Sequence, residues 1–388
     1  MTATEERLRE YPFEPFRGDL PAELLRMVRT EPVSRVRLPD GRATWLVVGY
    51  REVCTVLADP RFSRREPGRP PPGGRELSMN GPDHASLRRL AARAFTARRI
   101  ESYRPRVRET AERLVDAMVA AGPPADLIEA LVAPLPALVV CDILGVPRAD
   151  QDRFTAWAAD IFDVTAQGSE QVVRAFDAMR AYLAGTLDAK RAAPGEDLLS
   201  AWLVAQATSE EPVADSEIVD LAVGVLLGGR EINSTSVGLR ALFAHPEALA
   251  AVRADPSLLP GAVEEILRYT TVSPMFLVMT ALADVELGGR PIAAGDPVMA
   301  VPWAANRSPE VFPDPDVFDI RRSPNPHIAL GYGPHFCLGA ALGRMEIEVA
   351  IGTLLRRLPG LRPAIPLGEL RWRTERVNCG MVDFPVTW

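Results

Sequence analysis

The stretch GYGPHFCLGAALGR, residues 331 to 344, sets one cysteine among glycines, a proline and a histidine, directly ahead of a helical pattern. A thiolate is a soft ligand suited to iron, copper(I) or zinc. The four cysteines, Cys54, Cys141, Cys337 and Cys379, show no CxxC or zinc-like spacing, so Cys337 alone cannot build a tetrahedral zinc centre. A single thiolate can instead be the axial ligand of a haem. Gly331, Gly333 and Gly339 would let the backbone approach a flat macrocycle closely. A helix starting just after Cys337 turns N–H groups and the positive end of its dipole toward the sulfur, which favours the charged form. The plain alternative is a buried cysteine in a glycine-rich turn.

Two other pairs have spacing suited to chemistry. Glu265 and Arg268 stand at i and i+3, on one helix face, where a charge-assisted pair can form. On a solvated helix such a pair contributes only about 0.3–0.5 kcal/mol. His84 and Arg88 stand at i and i+4, so both can reach one anion, or both can line an ordinary solvated face.

The elements that must position these residues are mostly helical. Apolar residues recur at three- and four-residue spacing over 84–95, 103–121, 150–162 and 260–270. The longest such pattern, 215–245, predicts one helix of about 30 residues, roughly 45 Å long, whose middle is apolar all round and so runs through the core. Residues 35–50 read as a hairpin with Asp40 and Gly41 in the turn. Short strands follow within 284–301, and an irregular Pro/Asp/Asn-rich stretch, 305–326, leads into the cysteine motif. The fold class expected is mainly α with a minor β portion, in one large domain over 1–388.

Bulk properties exclude several classes. A formal charge of −7 without any basic run argues against a general nucleic-acid binder. The N-terminus MTATEERLREYPF is charged and does not read as a signal peptide. The most apolar stretch, 130–146, is interrupted by Pro134, Pro136 and Asp142, too broken to span a membrane. Sparse, scattered cysteines suit a reducing cytoplasm.

GYGPHFCLG resembles the cysteine-ligand loop of cytochrome P-450 enzymes, Gly-x-Gly-x-His-x-Cys-x-Gly. EILR (265–268) resembles that family's Glu-x-x-Arg helix, HASLR (84–88) its propionate-binding helix, and ANRSPEVFPDPDVFD (305–319) its meander. The resemblances run in the family's order along essentially the whole chain. They imply a haem-thiolate domain holding heme b, with Cys337 as iron ligand and His84, Arg88 and His335 toward the propionates. They also imply a buried Glu265–Arg268 network behind the loop. His245 and His327 carry no such resemblance and read as local. Arg89, Arg93 and Arg344 could form a face for an acidic ferredoxin or plain solvated surface.

Four positions depart from the family pattern. Its members usually carry an acid and then a threonine midway along the long helix; here Arg230, Glu231, Ile232 and Asn233 occupy that segment. Glu231 supplies the acid, but Ile232 has neither donor nor acceptor, which leaves proton delivery to Asn233, water, Ser234 or substrate. Leu330 stands seven before the cysteine, where a phenylalanine is usual and tunes the iron. Met279 replaces an arginine that commonly holds a propionate. Val317 stands where an Arg or His often completes the Glu–Arg cluster, so that network is expected to close differently.

The resemblance implies O2-dependent hydroxylation or epoxidation of a small-molecule, secondary-metabolite substrate. The competing reading is oxidative coupling, such as aryl cross-linking, which inserts no oxygen and could tolerate Ile232. A non-catalytic haem sensor and a haem-free helical protein stand further off. Electrons would come from NAD(P)H through a separate ferredoxin and its reductase, since 388 residues leave no room for a flavin region beside the catalytic domain. A cytoplasmic monomer is expected. The pocket would be mainly apolar, with Arg230, Ile232, Met275, Phe276, Leu277 and Met381 as candidates.

Overall fold

Alternating burial along residues 33–37 and the Asp40-Gly41 turn make the expected hairpin. In the computed structural model, β2 (Val33–Arg37) and β3 (Ala43–Val47) pair antiparallel from Val33↔Val47 to Arg37↔Ala43. Gly41 takes a φ of +83° between them, a conformation that favours glycine. The structure describes residues 8–14, 17–64, 77, 79–162, 169–209, 213–229, 233–270, 277–373 and 380–388.

The hairpin is the middle of a six-stranded sheet. With β1 (Arg9–Glu10), β4 (Phe62–Ser63), β6 (Val278–Ala281) and β9 (Pro297–Ala300), its order is β1-β2-β3-β9-β6-β4. β5 (Ala125–Asp126), β10 (Arg362–Pro363) and β11 (Pro385–Thr387) form a three-stranded sheet, and β7 (Val285–Leu287) with β8 (Arg290–Ile292) a two-stranded one. Strand alternation loads both faces of the large sheet. Trp45, Val47, Val298 and Ala300 pack with Val53, Val56 and Leu57 of helix Tyr50–Ala58. Leu46, Met299 and Val301 pack with Leu24, Met27 and Val28 of helix Ala22–Thr30.

The rest is a helical body whose core cluster runs from Leu87 to Val386. The expected helices form at Gly81–Ala94, Arg104–Ala121, Gln151–Phe162 and Leu259–Tyr269. The motif-following helix is Ala340–Arg357, and it packs on Arg104–Ala121 and Leu259–Tyr269. Helices Pro134–Leu144, Glu170–Ala192 and Leu198–Ala207 were not read from the sequence. Among the described residues no helix is long and apolar enough to cross a membrane.

Of the helix expected over 215–245, Asp215–Gly228 and Asn233–Ala244 are helical among the described residues, with a turn at Gly229. Two successive glycines weaken the helix at 228 and 229. The second also packs so closely that a Cβ on Gly229 would lie 2.4 Å from Val140 Cγ2. Residues 230–232, with the Arg230, Glu231 and Ile232 of the proton-delivery reading, lie outside the described residues.

Candidate functional site

The cysteine loop is built from its own backbone. Cys337 N–H donates to the Leu330 carbonyl at 2.8 Å, Gly331 N–H to Ile328 at 2.9 Å and Phe336 N–H to Gly333 at 3.1 Å. Gly331 and Gly333 take φ of +85° and +70°. A Cβ on Gly333 would sit 2.9 Å from Ala58 Cα, at the end of helix Tyr50–Ala58. These two glycines therefore serve the loop's turns and its seat on that helix. Gly339 differs: its φ is −83°, and a Cβ there would meet no protein atom within 4 Å. The resulting loop presents Cys337 exposed, two residues before the Gly339 cap of helix Ala340–Arg357.

Behind the loop lies the Glu265–Arg268 pair, both side chains wholly buried. The pair is bidentate, with Arg268 Nε donating to Glu265 Oε2 at 2.8 Å and Nη2 to Oε1 at 2.7 Å. Buried charges need their remaining valences filled, and here they are. Arg268 Nη1 donates to the Asn306 and Pro315 carbonyls at 3.0 and 2.8 Å, and Nη2 to Val317 O at 3.1 Å. Glu265 accepts from Asp319 N–H at 2.8 Å and Asn325 Nδ2 at 3.2 Å. Val317 does leave the cluster without its side chain, which is exposed. Arg322 closes it instead, its Nε 3.3 Å from Glu265 Oε2. The cation is retained five residues further on, in a turn-rich segment whose register the sequence does not reveal.

In front lies a cluster of cationic and imidazole groups. His84 and Arg88 lie on helix Gly81–Ala94, one turn apart. The His84 and His335 rings pack with centroids 4.1 Å apart and planes tilted by 34°, and Arg88 Nη2 donates to the Phe336 carbonyl beside Cys337. Asn80, which precedes the helix, does not cap it with its side chain. It bridges outward, its Nδ2 donating to Phe62 O at 3.3 Å and its Oδ1 facing His335 Nε2 at 2.8 Å. Arg64, two residues past Phe62, joins the cluster electrostatically. Burial and the neighbouring Arg88 push the Arg64 pKa down. Burial, Arg88 and Arg64 push His84 down. Burial, Arg64, His84 and Arg88 take His335 down to about 3. Among the described residues none of the four is paired with a carboxylate, and His84 Nε2 and Arg64 Nε are buried with no hydrogen-bond partner.

Several candidates fall elsewhere. Leu277 is exposed just before β6, and Met381 is buried in the main core, bridged to Trp372. Met381 is thus core packing, the role its apolar side chain serves most simply. Met275, Phe276 and Cys379 lie outside the described residues, as does the Asn233 side chain. Met279 is buried in the sheet's apolar cluster. His245 stacks on Phe318 at 4.7 Å and its Nδ1 contacts the Ala241 carbonyl at 2.8 Å, a local role as read. His327 lies 3.0 Å from Glu264, which also holds Arg344 Nε at 2.6 Å. Burial pushes the Glu264 carboxyl up, but His327 and Arg344 outweigh it and hold it near 2. Arg344 therefore braces two helices and is not an open docking charge.

Sequence reasoning missed Arg64, Asn80, Asn306 and Arg322. Asn80, ahead of Gly81-Pro82, reads as an ordinary helix start; only the folded structure shows its side chain reaching β4 and His335.

This set fits a haem. One exposed sulfur offers a single soft ligand, and orphaned buried nitrogens beside it suit carboxylates such as propionates. Cys337 would hold the iron, with His84, Arg88 and His335 toward the propionates.

Comparison with known proteins agrees. A family model described as cytochrome P-450 matches residues 170–359. The chain is 42% identical over 404 aligned residues, 100% of each chain, to the mycinamicin IV hydroxylase/epoxidase of Micromonospora griseorubida. It is 41% identical over 402, again 100% of each, to the nocardicin C N-oxygenase of Nocardia uniformis. Its structure matches the LnmA cytochrome P-450 hydroxylase of the leinamycin pathway of Streptomyces atroolivaceus with a TM-score of 0.91 and 40% identity, covering 98% of this chain and 100% of that one. The chain belongs to the cytochrome P-450 family and is an oxidoreductase of its monooxygenase type.

Proposed function

We propose that this enzyme hydroxylates or epoxidises a small-molecule secondary metabolite in the cytoplasm, as a monomer. One atom of O2 enters the substrate. The other leaves as water, with two protons and two electrons that NAD(P)H supplies through a ferredoxin and its reductase. When bound, the haem supplies the activation of O2, and its thiolate ligand favours O–O cleavage.

The observation that carries this reading is the exposed Cys337 beside a cluster of Arg88, His84 and His335 that pairs with no carboxylate among the described residues. The chain's own contribution is to fix the cofactor at both edges, exclude bulk water and route protons. Glu231 holds the proton to be delivered, with Asn233 and water completing the path that Ile232 cannot. Arg230 suits an anionic substrate group, and Ile232, Met275 and Phe276 supply apolar contact. The named relatives, a hydroxylase/epoxidase, an N-oxygenase and a hydroxylase, support oxygen insertion.

A spectral-shift screen of a metabolite library identifies a ligand, which is then turned over under isotopically labelled O2. One labelled oxygen in the product is the expected result. A coupled product without label would replace this reading by oxidative coupling, and a purified protein without a Soret band would end the haem reading.

A further inference from the structure

β4 and β6 pair antiparallel with Phe62 opposite Ala281 and Ser63 opposite Thr280. Continuing that register sets Arg64 beyond the end of β4 opposite Met279. The two side chains have opposite fates. Met279 is absorbed in the apolar cluster of Val33, Val53, Val298 and Ile328. Arg64 keeps a partly buried guanidinium whose Nε has no partner. Asn80 links the strand end from which Arg64 emerges to the cysteine loop: it binds Phe62 O on β4 and His335. The end of β4 is thereby tied directly to the His84–His335 pair.

We propose that Arg64 is a fourth anchor of the cofactor's carboxylates, carried just past the end of β4 in place of the cation that position 279 on β6 lacks. The assignment rests on the haem reading of this site. A partly buried guanidinium in a cluster with Arg88 and two imidazoles, with no carboxylate paired to them among the described residues, is costly unless an anion completes the group. A propionate does so, as an acceptor of charge-assisted hydrogen bonds. The role is one of positioning: Arg64 holds the macrocycle's edge and leaves the iron untouched.

The test is haem transfer from the holoenzyme to excess apomyoglobin, followed by absorbance. Arg64→Gln should speed release on the order of tenfold, the effect of one lost charge-assisted hydrogen bond. Arg64→Lys should recover part of that loss, because a point charge remains. Removing a cation beside an anionic edge should also lower the haem midpoint potential in Arg64→Gln, a shift that loss of packing alone would not restore in the lysine variant. Release and potential both within error of wild type in Arg64→Gln, while Arg88→Gln accelerates release, would overturn the assignment alone. Wild-type protein without a Soret band would instead overturn the haem reading on which it rests.

Discussion

The Asn306 side chain accepts the Ile328 N–H at 2.8 Å, while the Asn306 carbonyl takes Arg268 Nη1 at 3.0 Å. One buried asparagine thus couples the Glu265–Arg268 pair to the chain that enters the cysteine loop, since Ile328 O in turn receives Gly331 N–H. A salt bridge distant in sequence becomes a positioning device for a sulfur.

Breaking that tie has two grades. Arg268→Leu leaves the Glu265 carboxylate buried and uncompensated, a loss of about 3–5 kcal/mol, and should give little folded, haem-loaded protein by Soret absorbance. Asn306→Ala removes one buried bond, about 1–3 kcal/mol. It should fold, with a lower thermal midpoint and a smaller thiolate-type fraction in the reduced carbon monoxide spectrum. An unchanged spectrum in Asn306→Ala would show that the loop holds itself.

Gly333 and Gly339 should respond differently to alanine. At Gly333 the new Cβ meets Ala58 at 2.9 Å in a backbone of φ +70°, so Gly333→Ala combines left-handed strain of about 1–2 kcal/mol with a clash. At Gly339 it meets nothing within 4 Å. Guanidinium denaturation of the two apoproteins should show a marked loss for the first and almost none for the second. Equal losses would contradict this division.

Glu346 lies on helix Ala340–Arg357 with Oε1 unpartnered, and burial pushes its carboxyl up to about 8. The folded state therefore holds a proton that the unfolded state releases near 4.5. Its contribution is complete below that pH and declines as pH rises toward 8, by on the order of a few kcal/mol. Glu346→Gln should remove this slope, so the variant gains on wild type between pH 5 and pH 8 in thermal melts of the holoenzyme. Parallel curves would show the carboxylate to be compensated.

The proton route makes a prediction at residues 231 and 232. Glu231→Gln should lower product formed per NAD(P)H consumed by about tenfold or more, with substrate binding retained in the spectral shift. Ile232→Thr should raise that ratio. Unchanged coupling in Glu231→Gln would move proton delivery elsewhere.

The local signals were legible in sequence. Cys337 and its glycines, the i,i+3 pair at 265 and 268 and the i,i+4 pair at 84 and 88 announce themselves by spacing. What escaped depends on distant registry. Arg64 matters because β4 meets β6 more than 200 residues on; Asn80 because its amide leaves its own helix; Arg322 because a turn-rich segment folds back onto Glu265. Offsets from a motif fail in such segments, which is why Val317 pointed to a cluster closed differently without revealing that Arg322 closes it. The turn at Gly229 was hidden for a similar reason: Gly228-Gly229 is tolerable in a long apolar helix until Val140 is found against it.

Haem ligation in this chain depends on the sulfur of residue 337. Cys337→Ser, purified beside wild type, reduced and exposed to carbon monoxide, exchanges a thiolate ligand for a hydroxyl. The wild-type spectrum should carry the red-shifted Soret band of a thiolate-ligated haem, and the variant should lose it. The same band in both proteins would contradict the assignment of Cys337 as the iron's ligand.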